Sequence, residues 1–183
     1  MTSRASVAGD ERLRLFLALV LPGGTLDVLT AWQAEHLRGG RIVPRENLHV
    51  TLAFLGSRPA GELPAVVDVL RRAAAATGPV ALEVERYRET RAVGMLVLRD
   101  LTGEATRLAE RVGESLEQLG ALRRERRPWL PHVTVLRHRS PPRLAPSLPE
   151  VGRVAPSEAA AFLSRLHPTG ARYEVLEACA LGG

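Results

Sequence analysis

Apolar positions along the chain alternate between compact, strand-like runs and runs spaced for one face of a helix. Leu13 to Leu21 is a nearly continuous apolar stretch that predicts a buried strand, stopped by Pro22-Gly23-Gly24. Leu26, Leu29, Trp32 and Leu37 then recur at helical spacing, with Thr25 as the expected N-cap and Gly39-Gly40 as the stop. A second strand follows over Leu48 to Leu55. A helix is expected over Glu62 to Ala76, with Leu63, Val66, Val67 and Leu70 on one face. Val80 to Tyr87 alternates as a half-exposed strand, and Gly94 to Leu98 reads as its hairpin partner across the polar stretch 88–91. Leu101, Ala105, Leu108, Val112, Leu116 and Leu119 predict an amphipathic helix over Thr102 to Leu119. A strand is expected over Leu130 to Leu136. A proline-rich loop follows between Pro141 and Pro156, and strands over Ala159 to His167 and Tyr173 to Leu181 form a terminal hairpin.

Two of these strands open on the same unit, His49-Val50-Thr51-Leu52 and His132-Val133-Thr134-Val135. Side chains alternate across a strand, so each unit puts an imidazole and a hydroxyl on one face and its valine on the other. The order strand, helix, motif strand over 13–55 recurs over 93–137. That repeat predicts an α+β fold of two similar lobes, each presenting its motif strand at a shared cleft. Residues 1–11 lack the pattern and are expected to be a disordered leader, with 12–183 forming a single bilobal domain.

Composition narrows the class. The 183 residues are 45% hydrophobic, enough for a packed core. No apolar run reaches the roughly 20 residues that span a bilayer, and the first residues carry no signal-peptide core, so a cytoplasmic protein is expected. A single cysteine, Cys179, excludes an internal disulfide and a Cys-rich metal site. The net charge is +5, and all 25 basic residues are arginine. Arginine forks onto phosphate through two hydrogen bonds, which suits a phosphate-rich or nucleic-acid partner. A solvated basic surface without a partner accounts for the charge equally well.

Paired histidines admit several chemistries. Zinc requires three or four ligands, and neither motif supplies a further His, Cys or carboxylate at ligand spacing, so neither metal nor cofactor is expected. No serine sits in a nucleophile elbow. In-line displacement at phosphorus needs one group to accept a proton from the nucleophile and another to protonate the leaving oxygen, and two histidines can do both. Thr51 and Thr134 can hold non-bridging oxygens. Arg137, at odd parity from Thr134, can reach the charge only from the strand end. His36 and His167 read as surface residues. His138 shares the parity of His132 and would be a cleft-rim residue if the strand continued, but fraying at Arg139 is favoured.

The segments Arg14-Leu15-Phe16, Val43 to Gly56, Arg127 to Arg137, Ser164-Arg165-Leu166 and Gly170 to Leu176 together resemble the two-histidine (2H) phosphoesterases. Within them the chain is most similar to the RNA 2′,3′-cyclic phosphodiesterases, also called 2′-5′ RNA ligases. The resemblance implies the bilobal 2H fold, with antiparallel sheet and outer helices around a central cleft. It also implies metal-independent opening of RNA 2′,3′-cyclic phosphate ends to 2′-phosphomonoesters, with reversible 2′-5′ ligation at the same site. By the family pattern His49 is the proton donor and His132 the proton acceptor, and Thr51, Thr134 and Arg137 bind substrate. The implied partner is RNA with a cyclic end, such as a tRNA fragment, and the expected state is a monomer. The family often has a basic residue at the position of Ala53 and an arginine at that of Leu130. The basic run 123–127 could compensate at the cleft edge or equally be a solvated loop; Trp129 or Phe16 could stack a base, with core packing the favoured reading for Phe16. Two rivals stand beside this reading: a small-molecule cyclic nucleotide phosphodiesterase of the same fold, and a non-catalytic RNA- or nucleotide-binding module.

Overall fold

The structure is a computed structural model and describes residues 11–182. The expected leader, 1–11, lies outside the described residues except for Glu11, whose carbonyl accepts a hydrogen bond from the Ala60 amide at 2.8 Å. The elements run β1 (Arg12–Val20), α1 (Gly23–His36), β2 (Arg41–Ile42), β3 (His49–Pro59), α2 (Leu63–Ala75), β4 (Leu82–Glu89), β5 (Val93–Asp100), α3 (Glu104–Gln118), β6 (His132–Arg137), β7 (Glu158–His167) and β8 (Gly170–Ala180). Every described strand pairing is antiparallel. The strands form one sheet in the order β4-β5-β6-β3-β1-β7-β8, with β2 added to β6.

The two expected lobes are the two halves of this sheet. In one half β6 pairs with β5 and β5 with β4; in the other β3 pairs with β1 and β1 with β7. The halves meet at β3 and β6 through a single register pair, Val50 with Val133. Both valines are fully buried, as alternation predicts. The helices cross between halves. Leu29 of α1, which follows β1, lines a small apolar cavity together with Leu96, Leu98 and Val133 of the β5–β6 half. α3, which follows β5, lies against β3, and α2 lies against α3, β7 and β8.

Helix boundaries shift from those expected, for local reasons. α1 begins two residues before Thr25, because the Pro22 carbonyl accepts the first helical hydrogen bond from the Leu26 amide at 3.0 Å. Thr25 is therefore not its cap. α3 buries Ala105, Leu108, Val112 and Leu116, whereas Leu101 and Leu119 fall outside the helix and are exposed. On α2, Val69 joins Val66 and Leu70 in the core, and the stripe continues through Ala73 and Ala74.

Strand registers are broken by bulges. In β6, Met95 pairs with Thr134 and Gly94 with Leu136, so Val135 is the extra residue. In β3, the partners of Ala18 and Leu17 are Thr51 and Ala53, and those of Phe16 and Leu15 are Phe54 and Gly56, so Leu52 and Leu55 are extra. A bulge turns two consecutive side chains to one side. Thus Val135 and Leu136 are both buried, as are Leu52 and Ala53. The Val135 carbonyl, displaced from the ladder, accepts hydrogen bonds from the Val43 amide at 3.1 Å and from Gln33 Nε2 at 2.9 Å. Gln33 Nε2 also donates to the Val43 carbonyl at 3.0 Å. A buried glutamine on α1 therefore clamps the bulge and the segment after β2.

Replacing Gln33 with leucine should destabilise the fold by about 1–3 kcal/mol, since two buried carbonyls lose a donor that no solvent can replace. Equilibrium urea unfolding of the native chain and of Gln33→Leu measures this. An unchanged midpoint would mean that the clamp carries no stability.

Candidate active site

The Val50–Val133 pair fixes the relation between the two motifs. In an antiparallel pair the residues flanking one partner lie opposite those flanking the other. Thr134 therefore lies toward His49, and His132 toward Thr51. All four side chains leave the sheet on the face opposite the buried valines. The sequence thus brings two imidazoles and two hydroxyls to one patch, arranged diagonally about a local two-fold.

The patch opens into a cavity of about 600 Å³. His49, Thr51, Thr134 and Arg137 line it. His132 stands at its edge, outside the lining but close enough for its charge to act on His49. Arg137 reaches the cleft face because the Val135 bulge reverses the strand parity after Thr134, so it stands beside the hydroxyl rather than only at the strand end. The bulge after Thr51 does the same for Phe54, which occupies the position of Arg137 in the first motif. Phe54 is 49% exposed and lines the cavity, with the Arg14 guanidinium 4.8 Å from its ring centre. Arg14 and Arg41 also line the cavity, and among the described residues no carboxylate does. The lining is therefore built for an anion.

The two histidines share a backbone anchor and differ in surroundings. His49 Nδ1 is 2.8 Å from the Asn47 carbonyl, and His132 Nδ1 is 2.8 Å from the Leu130 carbonyl. In each neutral ring Nδ1–H donates to the carbonyl two residues back, leaving Nε2 for chemistry. His49 Nε2 is 3.0 Å from Thr51 Oγ1, whose hydroxyl donates to it. The faces of His49 are packed by Phe16 at 4.8 Å, Tyr173 at 5.5 Å and Phe162 at 6.2 Å between ring centres. His132 lacks such a nest and is the more open of the two. Burial holds the His49 pKa down at about 4; the Asn47 carbonyl pulls it up, and positive charge on His132 and Arg137 pushes it further down.

Several sequence expectations are corrected here. Phe16 is buried and stacked on Phe162 at 4.9 Å, in line with the core-packing reading. Trp129 is half-buried against the core, donates its indole N–H to the Thr51 carbonyl at 2.9 Å and does not line the cavity. Phe54 is the largely exposed ring of the lining. Ala53 lies in the core, so its lack of charge does not alter the cleft. Among the residues of the run 123–127, none lines the cavity, and Arg124 pairs with Glu114 at 3.4 Å. His167 is exposed as expected but also lines the cavity, together with the tip of the β7–β8 hairpin. His36 packs on Trp32 and lies 3.0 Å from Ser147 Oγ. Tyr173, Phe54, Arg14 and Arg41 are among the lining residues that pattern reasoning did not single out. Only the spacing of three from each motif threonine, shared by Phe54 and Arg137, was visible along the chain. Among the described residues no group of three His, Cys, Asp or Glu is placed to hold a metal ion, and no helix is long and apolar enough to cross a membrane.

Comparison with known proteins gives a consistent picture. Residues 25–167 match the family model described as the 2′-5′ RNA ligase superfamily. An RNA 2′,3′-cyclic phosphodiesterase of Thermus thermophilus is 33% identical over 93% of this chain and 91% of its own length. The RNA 2′,3′-cyclic phosphodiesterase of Escherichia coli is 31% identical over 72% of this chain and 75% of its own. The crystal structure of Escherichia coli LigT complexed with 3′-AMP superposes with a TM-score of 0.83 at 26% identity, covering 94% of this chain and all of that one.

The buried, neutral His49 makes acid stability a readout of the site. The native state refuses the proton down to about pH 4, whereas the unfolded chain accepts it near the ordinary 6.5. Stability from this group is therefore present above pH 6.5 and lost as pH falls toward 4, by up to about 3 kcal/mol. In His49→Gln the urea midpoint should fall less steeply between pH 6.5 and 4 than in the native chain. NMR titration of the His49 ring should show an apparent pKa near 4 that rises when inorganic phosphate is added. A ring that titrates near 6.5 without ligand would contradict the aromatic nest as its cause.

Proposed function

The chain belongs to the 2′-5′ RNA ligase superfamily, and from that premise we propose that it hydrolyses 2′,3′-cyclic phosphate ends of RNA to 2′-phosphomonoesters. It has the 2H phosphoesterase fold, and its curated relatives are phosphodiesterases. The observation that supports the finer reading is the diagonal arrangement of two His-x-Thr units about the Val50–Val133 pair, each histidine anchored through Nδ1 so that its Nε2 is left for chemistry.

In this mechanism the cyclic phosphate sits between the motifs. Thr51, Thr134 and Arg137 hold its non-bridging oxygens, and Arg137 stabilises the charge that develops on them. His132 Nε2 accepts a proton from a water molecule whose oxygen attacks phosphorus. The bond from phosphorus to O3′ breaks, and His49 Nε2–H protonates the departing oxygen, leaving a 2′-phosphate and a free 3′-hydroxyl. Both rings then exchange protons with solvent to reset. The anionic substrate supplies what the empty cleft lacks: negative charge beside His49, which raises its pKa so that it can serve as donor. Phe54 offers its exposed ring to the terminal base. With the 5′-hydroxyl of a second RNA in place of water, the same steps join the ends through a 2′-5′ linkage.

The low pKa of His49 favours one second reading, in which it is the base and His132 the acid. A substrate with sulfur in place of O3′ separates the two, since a thiolate leaves without protonation. On ordinary RNA with a cyclic end, His49→Ala and His132→Ala should each lower turnover by about 10²–10⁴-fold, with EDTA having no effect on the native chain. On the sulfur substrate the donor variant should recover and the acceptor variant should not. Recovery of His132→Ala alone would reverse the roles, and full activity of either variant on the oxygen substrate would end the paired-histidine mechanism.

A further inference from the structure

Arg41 has no part in the chemistry described above, yet its position is tightly prepared. It stands on β2 as the direct ladder partner of Arg137 on β6. Direct cross-strand partners project to the same face, and two like charges placed so are destabilising without an intervening anion. Both guanidiniums line the cleft, and neither has a carboxylate partner among the described residues. Arg41 also reaches across to the other half of the sheet, where one Nη1–H donates to the Thr169 carbonyl at the tip of the β7–β8 hairpin at 2.6 Å. A guanidinium carries five donors, so this contact orients the group and leaves most of its donors free.

The hairpin is shaped to receive it. Gly170 has φ +127°, and a Cβ there would lie 1.7 Å from Arg41 Nη1. Any larger residue at 170 would expel the guanidinium. Asn47 secures the same hairpin by donating from Nδ2 to the Ala171 carbonyl at 2.8 Å. The cavity of about 600 Å³ extends from the motif residues to this hairpin tip, which gives room beyond one cyclic phosphate. Arg137 and the two threonines already serve the reacting phosphate in the proposed function. A second unpaired cation beside them suits a second anionic group on the same ligand.

Resting on the phosphodiesterase reading above, we propose that Arg41, held by Thr169 and admitted by Gly170, binds the phosphodiester preceding the cyclic end and so makes the site selective for an RNA strand over a cyclic mononucleotide. A cyclic mononucleotide lacks that phosphate. Arg41 thereby acts on specificity rather than on the chemical step.

The test compares kcat/KM on a trinucleotide ending in a 2′,3′-cyclic phosphate with kcat/KM on a 2′,3′-cyclic mononucleotide. The native chain should prefer the trinucleotide. Arg41→Ala should lower its kcat/KM on the trinucleotide by about tenfold to a hundredfold, the loss of one charge-assisted contact, through KM rather than kcat. Its activity on the mononucleotide should change by less than about twofold. Arg41→Lys should recover part of the loss by keeping the charge without the fork. Gly170→Ala, which displaces the guanidinium without removing it, should reproduce the selective loss. Affinity for a labelled trinucleotide ending in a 2′-phosphate, measured by fluorescence anisotropy, should show a log–log salt slope shallower by about 0.7 in Arg41→Ala. Equal losses on both substrates would assign Arg41 to the reacting phosphate or to the hairpin alone and overturn the proposal. No loss on either, or no native preference for the trinucleotide, would overturn it too. If the native chain opened neither cyclic end, the hydrolase reading would fall by itself. The Arg41 proposal would then be decided by the anisotropy, an unchanged slope and affinity sinking it.

Discussion

One pair of buried valines holds the two halves of the sheet in register, and the arrangement of the cleft follows from it. Because Val50 and Val133 pair at one point only, the strands diverge on either side and leave space for a ligand. Because they are paired at all, His49, Thr51, His132 and Thr134 must emerge on the opposite face as a diagonal set. The crossed helices defend this junction. α1 meets the β5–β6 half through Leu29 and Gln33, and α3 lies against β3, so each half is contacted by the helix that follows the other half's strand. Gln33 adds a polar lock, joining α1 to the bulge that turns Arg137 toward the ligand. The core and the site are therefore one construction: the same strand residues that bury valine on one side aim imidazole on the other.

The local symmetry stops at the surroundings. Both histidines have the same carbonyl anchor, yet three aromatic rings enclose His49, while His132 stands at the open edge. Desolvation outweighs the favourable carbonyl contact at His49 and holds its ring neutral. Among the described residues the cleft is lined with arginine and no carboxylate, so in the proposed reaction the charge that overcomes this comes from the ligand. Binding and activation would then be coupled: the anion that fills the site would also be what allows His49 to carry a proton.

Much of this was readable along the chain. Alternation in the two motif strands placed the valines inside and the histidines with their threonines outside, and the strand-helix-strand repeat gave two related halves. Proline and glycine punctuation located most element ends to within a few residues. What alternation could not yield were the bulges. An uninterrupted strand would put Arg137 on the core side and Phe54 opposite Thr51, and the extra residues Val135 and Leu52 reverse both. Bulges here are stabilised by distant partners, such as Gln33 for the Val135 carbonyl, so no local pattern announces them. Arg41 and Tyr173 were hidden for the same reason. They reach the site through pairing of β2 with β6 and of β8 with β7, contacts that join residues far apart in sequence.

The asymmetry also bears on direction in the proposed reaction. In-line displacement requires the attacking and leaving oxygens on opposite sides of phosphorus, and the diagonal motifs provide one imidazole for each side. Two equivalent sides would leave the choice to chance. His132, at the open edge, faces the side from which water can arrive. His49, packed by Phe16, Phe162 and Tyr173, is held in a fixed orientation where it lines the cavity, which suits the delivery of a proton to a departing oxygen. In the proposed reaction a second RNA end would take the place of water on the His132 side. Hydrolysis and end-joining would then differ in what enters that side, while the buried half of the site performs the same step in both.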